Sequence, residues 1–301
     1  MTIHNLVVIS DLHIGCQLGL CHPDGHPLDE GGRYLPNKLQ RTVWEWWEEF
    51  WNEVVPDFCR GEPYGIVLNG DALDGRHHNA THQWTHNLTD QAKAAEMILR
   101  PIVERAQGGY YHIRGTEAHG GPSGAQEEAL AAALGAIPND AGQHARYELW
   151  IRVGRGLAHI AHHIGTSGSM HYESTAPMRE LTEAYVEAGR WNNEPPDWVV
   201  RSHRHRNCEV RVQTHKGFAT VCITPAWQLK TPFAYRIAGA RQALPQIGGT
   251  VLRSGDEDLY TRHKVWNLSR DREETLCLKS VSQNGSKSLR AKSRRRARPT
   301  R

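Results

Sequence analysis

The sequence predicts an α/β protein, and three observations carry the prediction. Short β-branched runs alternate with helical patterns along most of the chain. One segment, from Thr42 to Val55, repeats apolar residues at three- and four-residue steps. Strand-like runs end on carboxylates or imidazoles beside glycine, as in VVISDLHIG over residues 7–15. Alternation of this kind is the signature of helices packed on a largely parallel sheet.

Asn5 to Ser10 reads as a buried strand, nearly continuous in apolar residues. Val43, Trp44, Trp47, Phe50, Trp51 and Val54 then share one helix face, a core-facing stripe, with Pro56 expected to close the helix. Gly65 to Asn69 is a second strand. Asp90 to Ala106 is expected to be helical, capped by Thr89 or Asp90 and kinked at Pro101. Tyr110 to Arg114 is a third strand, and Ser123 with Gln126 has capping-box spacing ahead of EEALAAALGA. Leu157 to Ala161, Trp198 to Arg201 and Phe218 to Thr224 read as strands, with a helix around Met178 to Arg190. Beyond Ala234 the pattern weakens, leaving Leu259 to Leu268 or Thr275 to Leu278 as candidate edge strands.

At 301 residues, 39% hydrophobic and 23% charged, the chain fits a globular protein with length enough for a sizeable core. No apolar run reaches the roughly 18 residues of a membrane span, and no leader-like segment opens the sequence, so a cytoplasmic protein without membrane contact is expected. The six cysteines are scattered, which suits a reducing compartment. Cys16, Cys21, His22 and His26 fall close enough for a structural zinc, although their spacing matches no familiar finger. The net charge of +3 comes from the end of the chain. Lys287 to Arg301 holds eight basic residues and no acidic one, leaving 28 Lys and Arg against 33 Asp and Glu elsewhere. This divides the chain into a body over 1–280 and a basic tail over 281–301, expected to be disordered. The tail either contacts nucleic acid by counterion release or is simply solvated.

Histidine is heavily used, 19 against 13 Phe and Tyr together, and the informative ones stand at strand ends. GIVLNGDALDG delivers Asp71, YYHIRGTEAHGG delivers Glu117 and His119, LAHIAHHIG delivers His162 and His163, and WVVRSHRHR delivers His203 and His205. With Asp11 and His13, five strand ends release such groups. In α/β sheets ligand sites collect outside the carboxyl ends of strands. Mixed oxygen and nitrogen donors without thiolate suit Mn, Fe, Zn, Co or Ni. Two such ions about 3.5–4 Å apart can clamp a phosphoryl group and generate hydroxide near neutral pH. No G-x-x-x-x-G-K-S/T or G-x-G-x-x-G occurs, which disfavours nucleotide motors and nicotinamide enzymes.

The ordered set DLH, GDALD, GTEAH, HH and SHRH resembles the calcineurin-like metallophosphoesterase superfamily, over roughly residues 3 to 230. The GCQLGLCHPDG, RGTEAHGG and PAWQLKT stretches look like an uncharacterised, often phage-encoded branch of it. That resemblance implies a two-sheet β-sandwich flanked by helices, with two divalent metal ions on the strand-end loops. It implies Asp11, His13 and His205 on the first metal, Asp71 bridging, and His162 and His203 on the second, with Asp74 in support. His163 is the alternative if the register slips by one. Where the family carries Asn directly before its loop His, this chain has Thr116, Glu117 and Ala118 between Gly115 and His119. Glu117 is the favoured ligand there because a carboxylate binds better, with the Thr116 hydroxyl as the alternative. His119 then assists the leaving group or polarises the phosphate.

His77, His78 and His82 either line a phosphate pocket or belong to a solvated loop. Arg204 and Arg206 could face substrate, and Trp227 and Gln228 border the cleft or pack. The leading expectation is a phosphodiesterase, with nucleic acid as one substrate. A phosphomonoesterase, a protein phosphatase, and a metal-binding but catalytically weak nucleic-acid-binding protein are the alternatives. The role of residues 234–280 stays open, as does the oligomeric state.

Overall fold

The computed structural model describes residues 2–77, 80–121, 123–165, 170–238 and 244–268. One sheet has the order β13-β12-β1-β4-β5-β6, formed by Leu259–Trp266, Ile247–Ser254, Asn5–Ile9, Tyr64–Asn69, Tyr110–Ile113 and Ala145–Arg146. The other runs β10-β11-β9-β8-β7, formed by Cys208–Thr214, Gly217–Ile223, Trp198–Arg201, Gly156–Ala161 and Glu148–Val153. A two-residue ribbon, β2 (His26–Pro27) with β3 (Arg33–Tyr34), stands apart from both. The pairs β1–β4, β4–β5, β5–β6, β8–β9 and β9–β11 are parallel. Their shared direction brings the carboxyl ends of β1, β4 and β5 to one edge, and those of β8 and β9 likewise.

Side-chain alternation assigns the layers. In β1, Leu6 and Val8 join Val67, Ile113, Leu149, Ile160, Trp198 and Val200 in a core between the sheets. Val7 and Ile9 point the other way, with Ile66 and Leu68, into a core of helix residues. A third cluster packs Leu181 of α6 (Thr175–Trp191) on Val199, Ala219 and Val221. The result is helix, sheet, sheet, helix, the αββα sandwich. Both faces of β1 and β4 are covered, which is why they read as unbroken apolar runs.

The tryptophan-rich helix is core. Trp47, Phe50 and Trp51 are buried, and Trp47 and Phe50 pack edge-on against Trp227. Its bounds differ from expectation. α1 (Lys38–Glu49) begins earlier, where Asn37 and Gln40 form a capping box. The chain then passes through a π-helical turn at Phe50–Val54 into α2 (Val55–Phe58). Pro56 therefore does not end the helical run: it opens its last turn, where a missing N–H costs little. α3 (Leu88–Val103) is capped by Asn87, with Pro101 in its last turn. α4 is the single turn Glu117–Gly120. The expected capping box of Ser123 and Gln126 is absent, because α5 (Ala125–Ala133) starts after Gly124 in the left-handed conformation, with no side-chain cap.

The largest unforeseen element is β12, fully buried and antiparallel to β1. Its IGGTVLRS sequence hides a strand behind two glycines, and Gly249 is needed there because a Cβ would lie 2.4 Å from the Phe50 ring. β13 is the expected edge strand over Leu259–Trp266. Thr275 to Leu278, His78 and the 281–301 tail lie outside the described residues. No described helix is long and apolar enough to cross a membrane.

Candidate metal centre

Five strand-end loops meet at the sheet edges, and unusual backbone geometry marks the meeting point. Among the described residues, seven non-glycine residues have positive φ, and five of them are Asp11 (54°), His13 (46°), Asp71 (52°), His203 (73°) and His205 (53°). Left-handed conformations cost of order 1–3 kcal/mol where the side chain is not suited, less for Asp and His. Five at one place mean that the fold spends stability to aim these groups. The loops after β1 and β4 are tied together to do so, with the Asp11 N–H donating to Gly70 O (3.0 Å) and the His13 N–H to Asp71 O (3.1 Å). From beneath, the Trp227 N–H donates to Asp11 O at 3.0 Å, so the PAWQ segment supports the first loop.

Three overlapping groups of donors surround this point. Asp11, His13 and His205 bring ligand atoms within 4.8 Å of one another. His205 Nε2 lies 3.3 Å from Asp11 Oδ1 and 3.2 Å from His13 Nε2. Asp11, Asp71 and His162 form the second group, and His162, His163 and His203 a third that extends it. Asp71 Oδ2 lies 3.1 Å from His162 Nε2 and 4.0 Å from His203 Nδ1, and Asp71 and Asp11 bring carboxylate oxygens within 4.8 Å of one another. His162 is buried and His163 exposed, and both contribute donors near His203.

Neighbours fix which ring nitrogen faces inward. His162 Nδ1 donates to Asn69 O at 2.6 Å, leaving Nε2 toward Asp71. His13 Nδ1 pairs with Asp74 Oδ1 at 3.2 Å, leaving Nε2 toward His205. Asp74 is itself held by Gln83 (2.8 Å) and Gln228 (3.3 Å). Such outer partners orient metal-ligating imidazoles. Asp74 therefore supports the site, and Gln228 supports Asp74. His77 Nε2 also approaches Asp74, at 3.5 Å. Cys16 lies with Asp74 and His82, and the four residues Cys16, Cys21, His22 and His26 do not assemble into one cation cluster among the described residues.

The donors fit divalent cations. Asp11 Oδ1 is buried with no hydrogen-bond partner, since His205 Nε2 is near it but off hydrogen-bond geometry. A buried carboxylate oxygen left so is costly unless a cation meets it. Burial pushes the Asp11 carboxyl up, but His205 and His162 outweigh it and hold the group below the usual carboxylate range. Asp71 is likewise desolvated, and His162 and His119 draw it well below that range. Burial disfavours charge on His162, yet Asp71 and Asp11 lift its pKa to about 10. Desolvation and the charge of His162 push His203 down to about 4. The buried carboxylates hold a proton on His162 where a bound cation would compete with it.

The GTEAH block differs from the favoured reading. Glu117 is exposed, on the first turn of α4 and outside these donor groups. Thr116 takes the inner position: its N–H donates to Asp71 Oδ1 at 2.6 Å, and its Oγ1 lies 3.1 Å from Asp71 Oδ2 and 3.1 Å from His203 Nδ1. The reason is local. A Cβ on Gly115 would fall 2.1 Å from Asp71 Oδ1, so the bare backbone packs on Asp71 and brings the next residue, not the one after, inward. Thr116→Val keeps the shape and removes the hydroxyl. Hydrogen bonds to charged groups contribute about 1.5–3 kcal/mol, so calorimetric titration with Mn²⁺ should show one cation bound ~10- to 100-fold more weakly. Glu117→Gln should stay within about twofold of the parent. The opposite ranking would return the ligand role to Glu117.

His119 sits beside the first group. Its Nδ1 donates to Asp74 O at 2.7 Å, its ring meets His13 edge-on at 4.5 Å, and its Nε2 lies 3.9 Å from Asp71 Oδ2. Arg206 is engaged with Glu173.

No family model matches the chain, and no curated protein matches it. Solved structures of similar outline include vacuolar protein sorting 29 from Cryptosporidium parvum, at 10% identity and a TM-score of 0.36, covering 89% of this chain and 100% of that one. Vps29 from Entamoeba histolytica is similar at 10% identity and 0.35, covering 87% and 99%. A metallophosphoesterase from Sphaerobacter thermophilus is similar at 10% identity and 0.36, covering 87% and 89%. At these values the site has to be read from its own residues.

Proposed function

We propose that the chain is a phosphoester hydrolase of the calcineurin-like metallophosphoesterase kind, in the phage-type branch its loops resemble. The observation that carries this reading is the convergence of Asp11, His13, Asp71, His162, His203 and His205, with Asp11 Oδ1 buried and accepting no hydrogen bond. Asp11, His13 and His205 would hold one divalent cation, and His162, His203 and the Thr116 oxygen the other, with Asp71 shared. Cations held there supply charge stabilisation for a phosphoryl group and acidify water. The chain's own residues do the rest. Asp74 and Asn69 O keep the imidazoles of His13 and His162 in one tautomer. With Nδ1 committed to Asp74 O, His119 presents Nε2, the atom from which a protonated ring can release a proton to a departing oxygen.

Phosphodiesters are the favoured substrates, and contact of the 287–301 tail with nucleic acid belongs to the same proposal. The test is a panel of bis(p-nitrophenyl) phosphate and p-nitrophenyl phosphate with several divalent ions. Mn²⁺-dependent turnover, abolished by chelation and faster on the diester, is the expected result. Metal-independent DNA binding without turnover would overturn it in favour of a binding protein.

A further inference from the structure

Glu127 is buried, yet among the described residues it pairs with no Lys or Arg. Its two carboxylate oxygens share one backbone donor, the Gly115 N–H, at 2.9 and 3.1 Å. The other polar group beside it is His112 Nε2 at 3.9 Å, an atom with no hydrogen-bond partner, whose ring is held through Nδ1 by the Tyr110 hydroxyl at 2.8 Å. A carboxylate taken into the interior for so little compensation does not add stability, since replacing buried charge by an apolar group of like volume is often neutral or stabilising. Its position suggests another purpose. Gly115 directly precedes Thr116, whose N–H and hydroxyl hold both oxygens of Asp71. At the far end of the same loop Gly120 rests on the carboxylate, where a Cβ would lie 2.6 Å from Glu127 Oε2. Thr116 and His119 lie between these two points.

We infer that Glu127 is a positioning residue: from α5 it clamps both ends of the 115–120 loop and so sets Thr116 against Asp71 and His119 against the reacting group. The inference rests on the proposed metal centre. It concerns the loop carrying Thr116 and leaves Asp11, His13 and His205 to their own supports.

The test compares Glu127→Gln, which keeps an acceptor for the Gly115 N–H, with Glu127→Leu, which keeps bulk and removes it. Hydrogen exchange of the 115–120 amides in metal-free protein reads the clamp without any catalysis. Exchange should stay slow in the parent and in Glu127→Gln, and become at least about tenfold faster in Glu127→Leu. Loss of outer-shell support typically weakens metal binding by ~10- to 100-fold. One Mn²⁺ of the pair should accordingly loosen by that factor in Glu127→Leu, with binding recovered in Glu127→Gln. The melting temperature of Glu127→Leu should equal or exceed that of the parent, which separates positioning from a structural role. Unchanged exchange and Mn²⁺ affinity in Glu127→Leu, or a fall in melting temperature matched by equal loosening of both cations, would overturn the inference. A parent protein that binds no Mn²⁺ would instead sink the metal-centre reading, while the exchange data would still judge the clamp.

Discussion

Asp71→Asn should lower Mn²⁺-dependent turnover of bis(p-nitrophenyl) phosphate by about 10³-fold or more, while far-ultraviolet circular dichroism stays that of the parent. Asp71 stands among three imidazoles of the site, with its Oδ2 3.1 Å from His162 Nε2, 3.9 Å from His119 Nε2 and 4.0 Å from His203 Nδ1. Asn matches it in size and tolerates the left-handed backbone that position requires, φ 52°. The loop can therefore keep its course, and what is lost is charge. The amide nitrogen of Asn donates and cannot accept from Thr116 or His162, so one face of the group loses its partners. Metal ions contribute several kcal/mol of charge stabilisation to phosphoryl transfer. At about 1.36 kcal/mol per tenfold in rate, losing most of that amounts to roughly three orders of magnitude. Metal content measured on the same sample should fall below that of the parent. Parent-like turnover with parent-like metal content would refute the assignment of Asp71.

The metal-ligand candidates were legible because strand ends are. The runs stop at polar residues, and within each sheet they share direction, so Asp11 and Asp71 emerge together at one edge of the first sheet and His162 and His203 at one edge of the second. The layers were legible for the same reason, since Val7 and Ile9 alternate with Leu6 and Val8 only if both faces of β1 are covered. β12 stayed hidden because its identity as a strand comes from tertiary fit, with Gly249 admitting the Phe50 ring. No local pattern carries that information. The choice between Thr116 and Glu117 was not legible, for a different reason. Ligand chemistry favours the carboxylate, but the backbone approach of Gly115 to Asp71 decides which side chain turns inward, and that approach is a distance between loops 44 residues apart in sequence, from Asp71 to Gly115. Glu127 gave no signal at all. In EEALAAALGA it reads as an ordinary acidic residue in a first helical turn, where such charge is favourable. Only the burial of its carboxylate on the Gly115 N–H sets it apart.

His119 is where the chemistry of the leaving group can be separated from binding of the phosphate. Replacing it by Asn keeps a donor at the place of Nδ1, able to reach Asp74 O, so the loop is little disturbed. What disappears is a group that can gain and lose a proton. A positioned general acid contributes about 10²- to 10⁴-fold, but only where the departing oxygen needs a proton to leave. His119→Asn should therefore cost ~10²-fold or more in kcat/KM on a diester with an alkoxide leaving group. On bis(p-nitrophenyl) phosphate, whose phenolate departs unaided, the loss should be no more than about tenfold. The dependence of rate on leaving-group pKa should steepen in the variant. Equal losses on both substrates would make His119 a phosphate-polarising group. No loss on either would reduce it to a support for the loop, its Nδ1 bond to Asp74 O being then its whole function. The geometry favours the unequal losses expected of a general acid, because that bond leaves Nε2 turned to Asp71, 3.9 Å from its Oδ2.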